Sequence, residues 1–303
     1  MQKIPAQIFE IDSQSEGQRL DNFLIKKLKR IPKSKIYKII RSGEVRVNGS
    51  RCKPLLKLKT GDKVRTPPLF ITTDNTDKTC NQNLNIDILF EDDNLLIINK
   101  PAKIAVHSGS GNSFGIIDYI KFQRPDLSNL TLVHRLDKDT TGILIIAKNR
   151  ETLLSLQKKW EANLVEKRYI ILVDGIWPKK KTLINAPILD SKLNGERYMK
   201  VDPKGKPSIT KFKVLRYYNN KTLLFAWPVT GRTHQIRVHT KHMGMPIVGD
   251  SKYNKNIIKL NLFLHASAVK VKDSFSIFSN KGIVCKMTSQ QLQYLIKLSN
   301  VDA

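Results

Sequence analysis

Apolar positions recur at helical spacing in the first part of the chain and give way to strand-like runs further on. In RLDNFLIKKLKR (19–30), Leu20, Phe23, Leu24 and Leu28 fall on one face while lysines fill the other, which predicts an amphipathic helix. IPKSKIYKIIRSG (31–43) turns Ile36, Ile39 and Ile40 inward in a second short helix, with Ser34 as its N-terminal cap and Gly43 as its stop. VRVNGSRCKP then reads as a strand turning on Asn48-Gly49, and KLKTGDKVRTP as a further strand pair around a Gly-Asp turn. Two helices and a small sheet are therefore expected within residues 1–70. Residues 71–85, ITTDNTDKTCNQNLN, are almost devoid of apolar side chains and read as a linker.

From Ile86 the texture changes to apolar strands separated by turns. IDILFEDDNLLIINKP predicts two strands around Asp92-Asp93-Asn94, and TLVHRLDKDTTGILIIAKN predicts strand, turn, strand. Leu153, Leu156, Trp160 and Leu164 are spaced by three and four in ETLLSLQKKWEANL, an amphipathic helix. KRYIILVDGIW, ITKFKVLRYY, TLLFAWPVTG and HASAVKV supply further strands. There is no repeat and no alternating strand–helix series. The expected class is thus α+β: a small N-terminal α/β module (1–70), then a mainly antiparallel mixed-sheet domain with flanking helices over 86–303.

Charge changes this picture. The chain holds 53 Lys/Arg against 26 Asp/Glu, a formal net charge of +27. A polyanionic partner accounts for this through counterion release from phosphates, and A+T-rich codon drift, with 39 lysines to 14 arginines, accounts for it too. Distribution separates the two readings. Residues 1–70 carry 17 Lys/Arg and six Asp/Glu, a net of +11, whereas drift would spread evenly. Cys52, Cys80 and Cys285 are odd in number and far apart, which fits neither a disulfide framework nor a metal site and points to a reducing cytoplasm. No apolar run reaches 18 residues and no signal-peptide pattern is found, so no membrane association is expected.

The chemistry concentrates in HRLD (134–137), just ahead of the buried strand ILIIA (143–147). A carboxylate held there in fixed geometry needs a cation, offered by Arg135 or by the arginines of TGRTHQIRVH (230–239). Asp137 is then either a structural ion pair or a catalytic acid. Asp139, between Lys138 and Thr140, reads as turn chemistry. His234, His239 and His242 have no companion Cys or acid at ligand spacing, so a metal site is the weaker reading. GSGNSFG (109–115) lacks the Lys-Ser/Thr of a phosphate loop and reads as surface.

Together these segments resemble the RluA family of RNA pseudouridine synthases, most closely its RluC type. The motifs LLIINKPAKIAVHSG, HRLDKDTTGILIIAK, KRYIILVDG, TGRTHQIRVHTKHMGMPIVGDSKY and LFLHASAV stand in family order over residues 88–270. The stretch from Arg19 to Pro54 resembles the S4 RNA-binding module. Thr141 departs from the family's usual Ser but retains the hydroxyl. The resemblance implies cofactor-free and metal-free isomerisation of specific uridines in large-subunit ribosomal RNA by a monomeric enzyme. The shortest family members, which act on tRNA, lack the S4 module. It further implies Asp137 as the nucleophile or base, with Arg237 as its ion-pair partner and Tyr169 stacking on the target base. Arg135 would fill the gap left by the flipped base and Leu264 would pack beside the uracil. His134, Arg232 and Lys167 fall among the expected RNA or framework contacts.

Overall fold

The computed structural model describes residues 2–28, 31–71, 84–108, 114–127, 129–193, 196–256, 258–272 and 282–301. The expected linker lies almost wholly outside the described residues, as does most of GSGNSFG. Two compact units divide the chain, residues 1–81 and 82–303.

The first unit holds helices Leu20–Lys27 and Lys33–Arg41 over a four-stranded sheet of Gln7–Glu10, Lys63–Thr66, Arg46–Val47 and Ser50–Arg51, in that spatial order. Leu20, Phe23, Leu24, Ile36, Ile39 and Ile40 form its core. Asn48 (φ 51°) and Gly49 (φ 79°) both sit in the left-handed region, the pair of conformations a tight type I′ hairpin requires. Two details differ from expectation. The second helix starts at Lys33 with Pro32 as the flanking cap residue (φ −56°, ψ 141°) and no side-chain cap, so Ser34 lies inside the first turn. KLKTGDKVRTP yields one strand, because the Asp62 carboxylate accepts from Lys59 N–H and Asn48 Nδ2, both at 2.8 Å, and closes a tight turn in place of a hairpin. Asp21 is fully buried in this unit. Burial opposes its ionisation, but Arg19, Tyr37 and the Asn22 N–H all donate to it and hold its pKa below the ordinary value.

In the second unit, strands β1 (Asp87–Glu91), β2 (Leu95–Lys100), β3 (Thr141–Ala147), β4 (Val165–Asp174), β5 (Leu183–Asn185), β6 (Ile209–Tyr218), β7 (Lys221–Pro228) and β8 (Leu264–Val271) form one sheet in the order β5-β6-β7-β4-β8-β3-β2-β1. Short strands Thr131–Leu132 and Ile283–Val284 add to β3 and β8. Helices α1 (Ile116–Gln123), α2 (Arg150–Glu161), α3 (Gln235–His242) and α4 (Ser289–Val301) flank it. Strand β3 is buried along its whole length. Leu144 and Ile146 pack with α1 residues Ile116, Ile117 and Ile120, while Ile143 and Ile145 pack with α2 residues Leu153, Leu156 and Trp160. Its isoleucine run is the signature of a strand covered on both faces. Among the described residues, no helix is long and apolar enough to cross a membrane.

Pairing along the sheet is antiparallel except between β3 and β8, where Thr141 faces His265 and Gly142 faces Ala266 in a parallel contact. Gly142 is required at that point. Its φ is +104°, and a Cβ there would stand 2.3 Å from the Ala266 carbonyl oxygen. The HRLD segment is thereby delivered directly onto the mouth of β8.

Candidate active site

Asp137 is carried on a turn between the end of Thr131–Leu132 and the start of β3, closed by Thr140 N–H donating to the Asp137 carbonyl. Leu136 points into the α1-side core and holds the turn down, leaving the Asp137 side chain 31% exposed. Beneath it lies Lys100, the last residue of β2 and completely buried. Its Nζ donates to the carbonyls of Pro101 (2.7 Å), Ile104 (2.9 Å) and Lys138 (3.0 Å). Burial pulls the Lys100 pKa down to about 7, with Asp139 and Asp137 pulling it back up. Three carbonyl acceptors match the three N–H bonds of an ammonium, so the hydrogen bonding selects the protonated form.

Helix α3 brings the cation. Arg237 Nη1 lies 3.4 Å from Asp137 Oδ2, but its closest partner is Asp250. There Nε and Nη2 each donate at 2.8 Å to a carboxylate with no exposed surface, a bidentate buried pair. Desolvation disfavours the charged guanidinium, yet Asp250 and Asp137 outweigh it and raise the pKa above the ordinary arginine value. Asp250 Oδ1 also accepts from the N–H groups of Lys252 and Tyr253. Arg237 is thus a fixed charge before Asp137 is counted.

His234 precedes α3 with φ 54°, a left-handed conformation that costs a non-glycine residue about 1 kcal/mol or more. The strained backbone sets its ring between Tyr253, whose hydroxyl is 2.8 Å from Nδ1, and Asp137, whose Oδ2 is 3.7 Å from Nε2. Met199 N–H donates to the same Tyr253 hydroxyl, whose own O–H is available to Nδ1; the tautomer that uses it carries the histidine proton on Nε2, toward the carboxylate. Desolvation lowers the His234 pKa, the negative charge of Asp137 opposing it, so the ring is neutral at neutral pH.

Tyr169 enters from β4, one residue after a bulge, paired in register with Ala226 on β7 and Ala266 on β8. Small neighbours on both sides leave its ring as the tall group on that face. Burial and the charge of Asp137 push its phenol well above the usual range, so it acts as a neutral ring.

Asp137, Arg237 and Tyr169 therefore converge. Arg135 is exposed on the same loop, and Arg232 is exposed at the approach to α3, its Nε donating to the Pro207 carbonyl at 3.2 Å. His134 lies elsewhere. Its Nε2 accepts from Ile145 N–H at 3.1 Å and its ring stacks on Trp160, while burial lowers its pKa to about 4. That is a packing role, and an RNA contact would have to break it. Lys167 is half-buried within electrostatic reach of His134. Leu264 is only 4% exposed and belongs to the core, its carbonyl accepting from the Thr141 hydroxyl; that hydroxyl also meets His265 Nδ1 at 2.9 Å. His239 is buried between the Thr210 hydroxyl and the Ala186 carbonyl and shares no hydrogen-bond partner with His234 among the described residues. Among the described residues, no group of three or more His, Cys, Asp or Glu is poised to hold a metal ion.

Sequence reasoning does not find Asp250, Lys100, Tyr253 or His234 as site residues. Lys100 leaves a signal, a lone cation ending the apolar run LLIIN. Asp250 leaves a weaker one, an acid directly after the apolar PIVG. A cavity of about 420 Å³ lies against the Arg237–Asp250 pair, with Lys103, Asp139, Lys259 and Asn261 in its lining.

The site thus presents a half-exposed carboxylate flanked by a permanently charged guanidinium, a neutral imidazole and an un-ionised phenol. Comparison with known proteins bears on its use. Residues 94–242 match the model of the RNA pseudouridylate synthase family, and residues 18–64 match the S4 domain. The chain is 49% identical to ribosomal large subunit pseudouridine synthase C of Haemophilus influenzae, over 86% of this chain and 85% of that protein. It is 46% identical to the protein of the same name from Buchnera aphidicola subsp. Schizaphis graminum, over 86% and 88%. Among solved structures, human RNA pseudouridylate synthase domain containing 4 shares the fold with a TM-score of 0.59 at 24% identity, over 70% of this chain and 93% of that one.

Proposed function

Because the chain belongs to the RNA pseudouridine synthase family, we propose that it isomerises specific uridines of large-subunit ribosomal RNA, with Asp137 as the group that starts the reaction. Identity of 49% with a large-subunit rRNA synthase across most of both chains carries the choice of substrate.

Isomerisation breaks the N1–C1′ bond of uridine, turns the uracil, and joins C5 to C1′. The C5 hydrogen is lost and N1 regains a proton, so composition is unchanged and no redox partner is called for. The target base must leave its stack to expose the sugar. Asp137 must be ionised to act at the sugar. Arg237, already neutralised by Asp250, stabilises that ionised form without collapsing onto it, and its reach of 3.4 Å leaves the carboxylate free to move toward the ribose. The neutral Tyr169 ring stacks on the extruded uracil. Its phenol stays protonated beside Asp137, so it adds no negative charge to compete with the reacting carboxylate. Lys100 holds the Asp137 turn by its backbone. Arg135 enters the helix where the base was, Arg232 meets a phosphate, and the S4 unit adds sequence-independent grip.

The test is product mapping. Large-subunit rRNA transcribed in vitro, treated with the protein and probed by carbodiimide modification and primer extension, should give new stops. Asp137→Asn should abolish them with RNA binding nearly unchanged, and Asp139→Asn should retain them. Stops that survive Asp137→Asn overturn the assignment, and stops on tRNA alone overturn the substrate.

A further inference from the structure

The large sheet has unlike faces at its β6–β7–β4 end. On one face Thr210, Phe212, Leu224 and Ala226 are buried, and Tyr169 joins them through its register with Ala226. The other face carries Lys211 opposite Trp227 and Lys213 opposite Phe225 across the β6–β7 pair. Arg168, on the far side of the bulge from Tyr169, lays its guanidinium 4.6 Å over the Phe225 ring, and Phe225 meets Trp227 edge-on at 5.5 Å. Both lysines are exposed, and Arg168, Phe225 and Trp227 are half-exposed.

An interior-type aromatic pair left half-open, with cations on either side, is an unusual use of a sheet face. Rings of this size are normally covered, and uncovered ones lose the stabilisation their burial would give. The carboxylate nearest along β4, Glu166, stands opposite Lys270 on β8, on the other side of β4 from the strand that carries Phe225 and Trp227. Flat rings interleaved with positive charge, on a platform held rigid by neighbouring strands, are what unpaired nucleic acid needs: π-faces for bases and cations for the backbone between them.

We propose that this face of the sheet is a second RNA-binding surface, which takes an unpaired stretch of the substrate RNA on Trp227 and Phe225 with its phosphates on Lys211, Lys213 and Arg168. It rests on RNA being the substrate and is separate from the site around Asp137, since Arg168 and Tyr169 project to opposite faces. A long rRNA reaches both faces, whereas a short stem-loop carrying the target uridine reaches one.

Two measurements test it, both on full-length protein carrying Asp137→Asn so that binding is read without turnover. Trp177 is buried, and Trp160, half-exposed like Trp227, has one ring face stacked on His134, so Trp227 is the indole on this face of the sheet whose signal the variant isolates. Oligouridylate should quench tryptophan fluorescence, and adding Trp227→Phe should remove the quench. A quench that persists overturns the proposal. In filter binding to in vitro transcribed large-subunit rRNA, adding Lys211→Gln with Lys213→Gln should weaken affinity about tenfold and make the log–log salt slope shallower by about 2. Unchanged affinity and slope overturn it. In the protein with Asp137 intact, the same lysine changes should leave kcat on a short stem-loop unaltered. Failure to form pseudouridine at all would refute the proposed activity and leave both binding readouts standing.

Discussion

Replacing Asp250 by Asn removes one charge from a buried pair and keeps the shape. Arg237 is 6% exposed and Asp250 not at all, and two donor distances of 2.8 Å show the pair fully engaged. Breaking such a pair from one side costs about 3–5 kcal/mol, because the remaining charge stays buried without compensation. Asparagine keeps one carbonyl oxygen for the Lys252 and Tyr253 N–H groups, so the lower end, about 3 kcal/mol, is expected. For a unit of this size that corresponds to a fall in Tm of roughly 6–12 °C. Activity should suffer separately. With Asp250 neutral, Arg237 closes on Asp137 and immobilises the carboxylate that must reach the sugar. Single-turnover pseudouridine formation at a temperature where the variant is folded should slow by at least about tenfold, with KM for RNA little changed. A second variant, Arg237→Met with Asp250→Leu, should be less destabilised than the two single changes summed, since no lone charge remains. A loss below about 1 kcal/mol with unchanged turnover, or strict additivity in the cycle, would refute the view that Asp250 anchors Arg237.

Further outcomes follow from the same geometry. Lys100→Met should leave three carbonyls without their donor, lower kcat, and leave RNA affinity intact; a full-rate Lys100→Met enzyme would show that the turn holds itself. His265 is buried, with its pKa lowered to about 4 against 6.5 in an unfolded chain. The unfolded state therefore binds the extra proton in that window, so this stability is whole above pH 6.5 and lost as pH falls toward 4, by roughly 3 kcal/mol at most. His265→Asn should flatten the Tm–pH curve there, and an unaltered slope would count against it. Gly142→Ala should lower Tm by at least about 5 °C, through a strained φ and a clash with Ala266. In the S4 unit, exposed Lys35 and Lys38 changed together to Glu should weaken rRNA binding and reduce its salt dependence without moving Tm; equal binding would mark that charge as incidental.

Much of this architecture is legible in the chain because burial imposes period. The Ile-rich β3, the hairpin at Asn48-Gly49 and the turn at Asp137 each follow from local chemistry. Partners distant in sequence do not. The sequence offers Arg237 to Asp137, and only the folded α3 shows that Asp250, thirteen residues on, holds the guanidinium first. The sequence likewise sets His134 among the RNA contacts beside Arg135. The chain instead turns the ring inward, where the Ile145 N–H and Trp160 engage it. The family resemblance sets Leu264 beside the uracil, and the fold shows it as the first residue of β8, packed in the core with its carbonyl turned to the Thr141 hydroxyl. His234 shows the converse. Its type and spacing suggest a weak metal ligand, and its left-handed backbone, invisible in the sequence, is what aims it at Asp137.

Lys100 grips carbonyl oxygens alone, and every residue at positions 101, 104 and 138 supplies one whatever its side chain. The anchor therefore recognises the path of the loop and is blind to its composition. Lys138, exposed beside Asp137, is free to change without loosening the turn. Lineages descended from such an enzyme can rewrite the surface around the reactive carboxylate to suit a new RNA fold, while the carboxylate keeps its position.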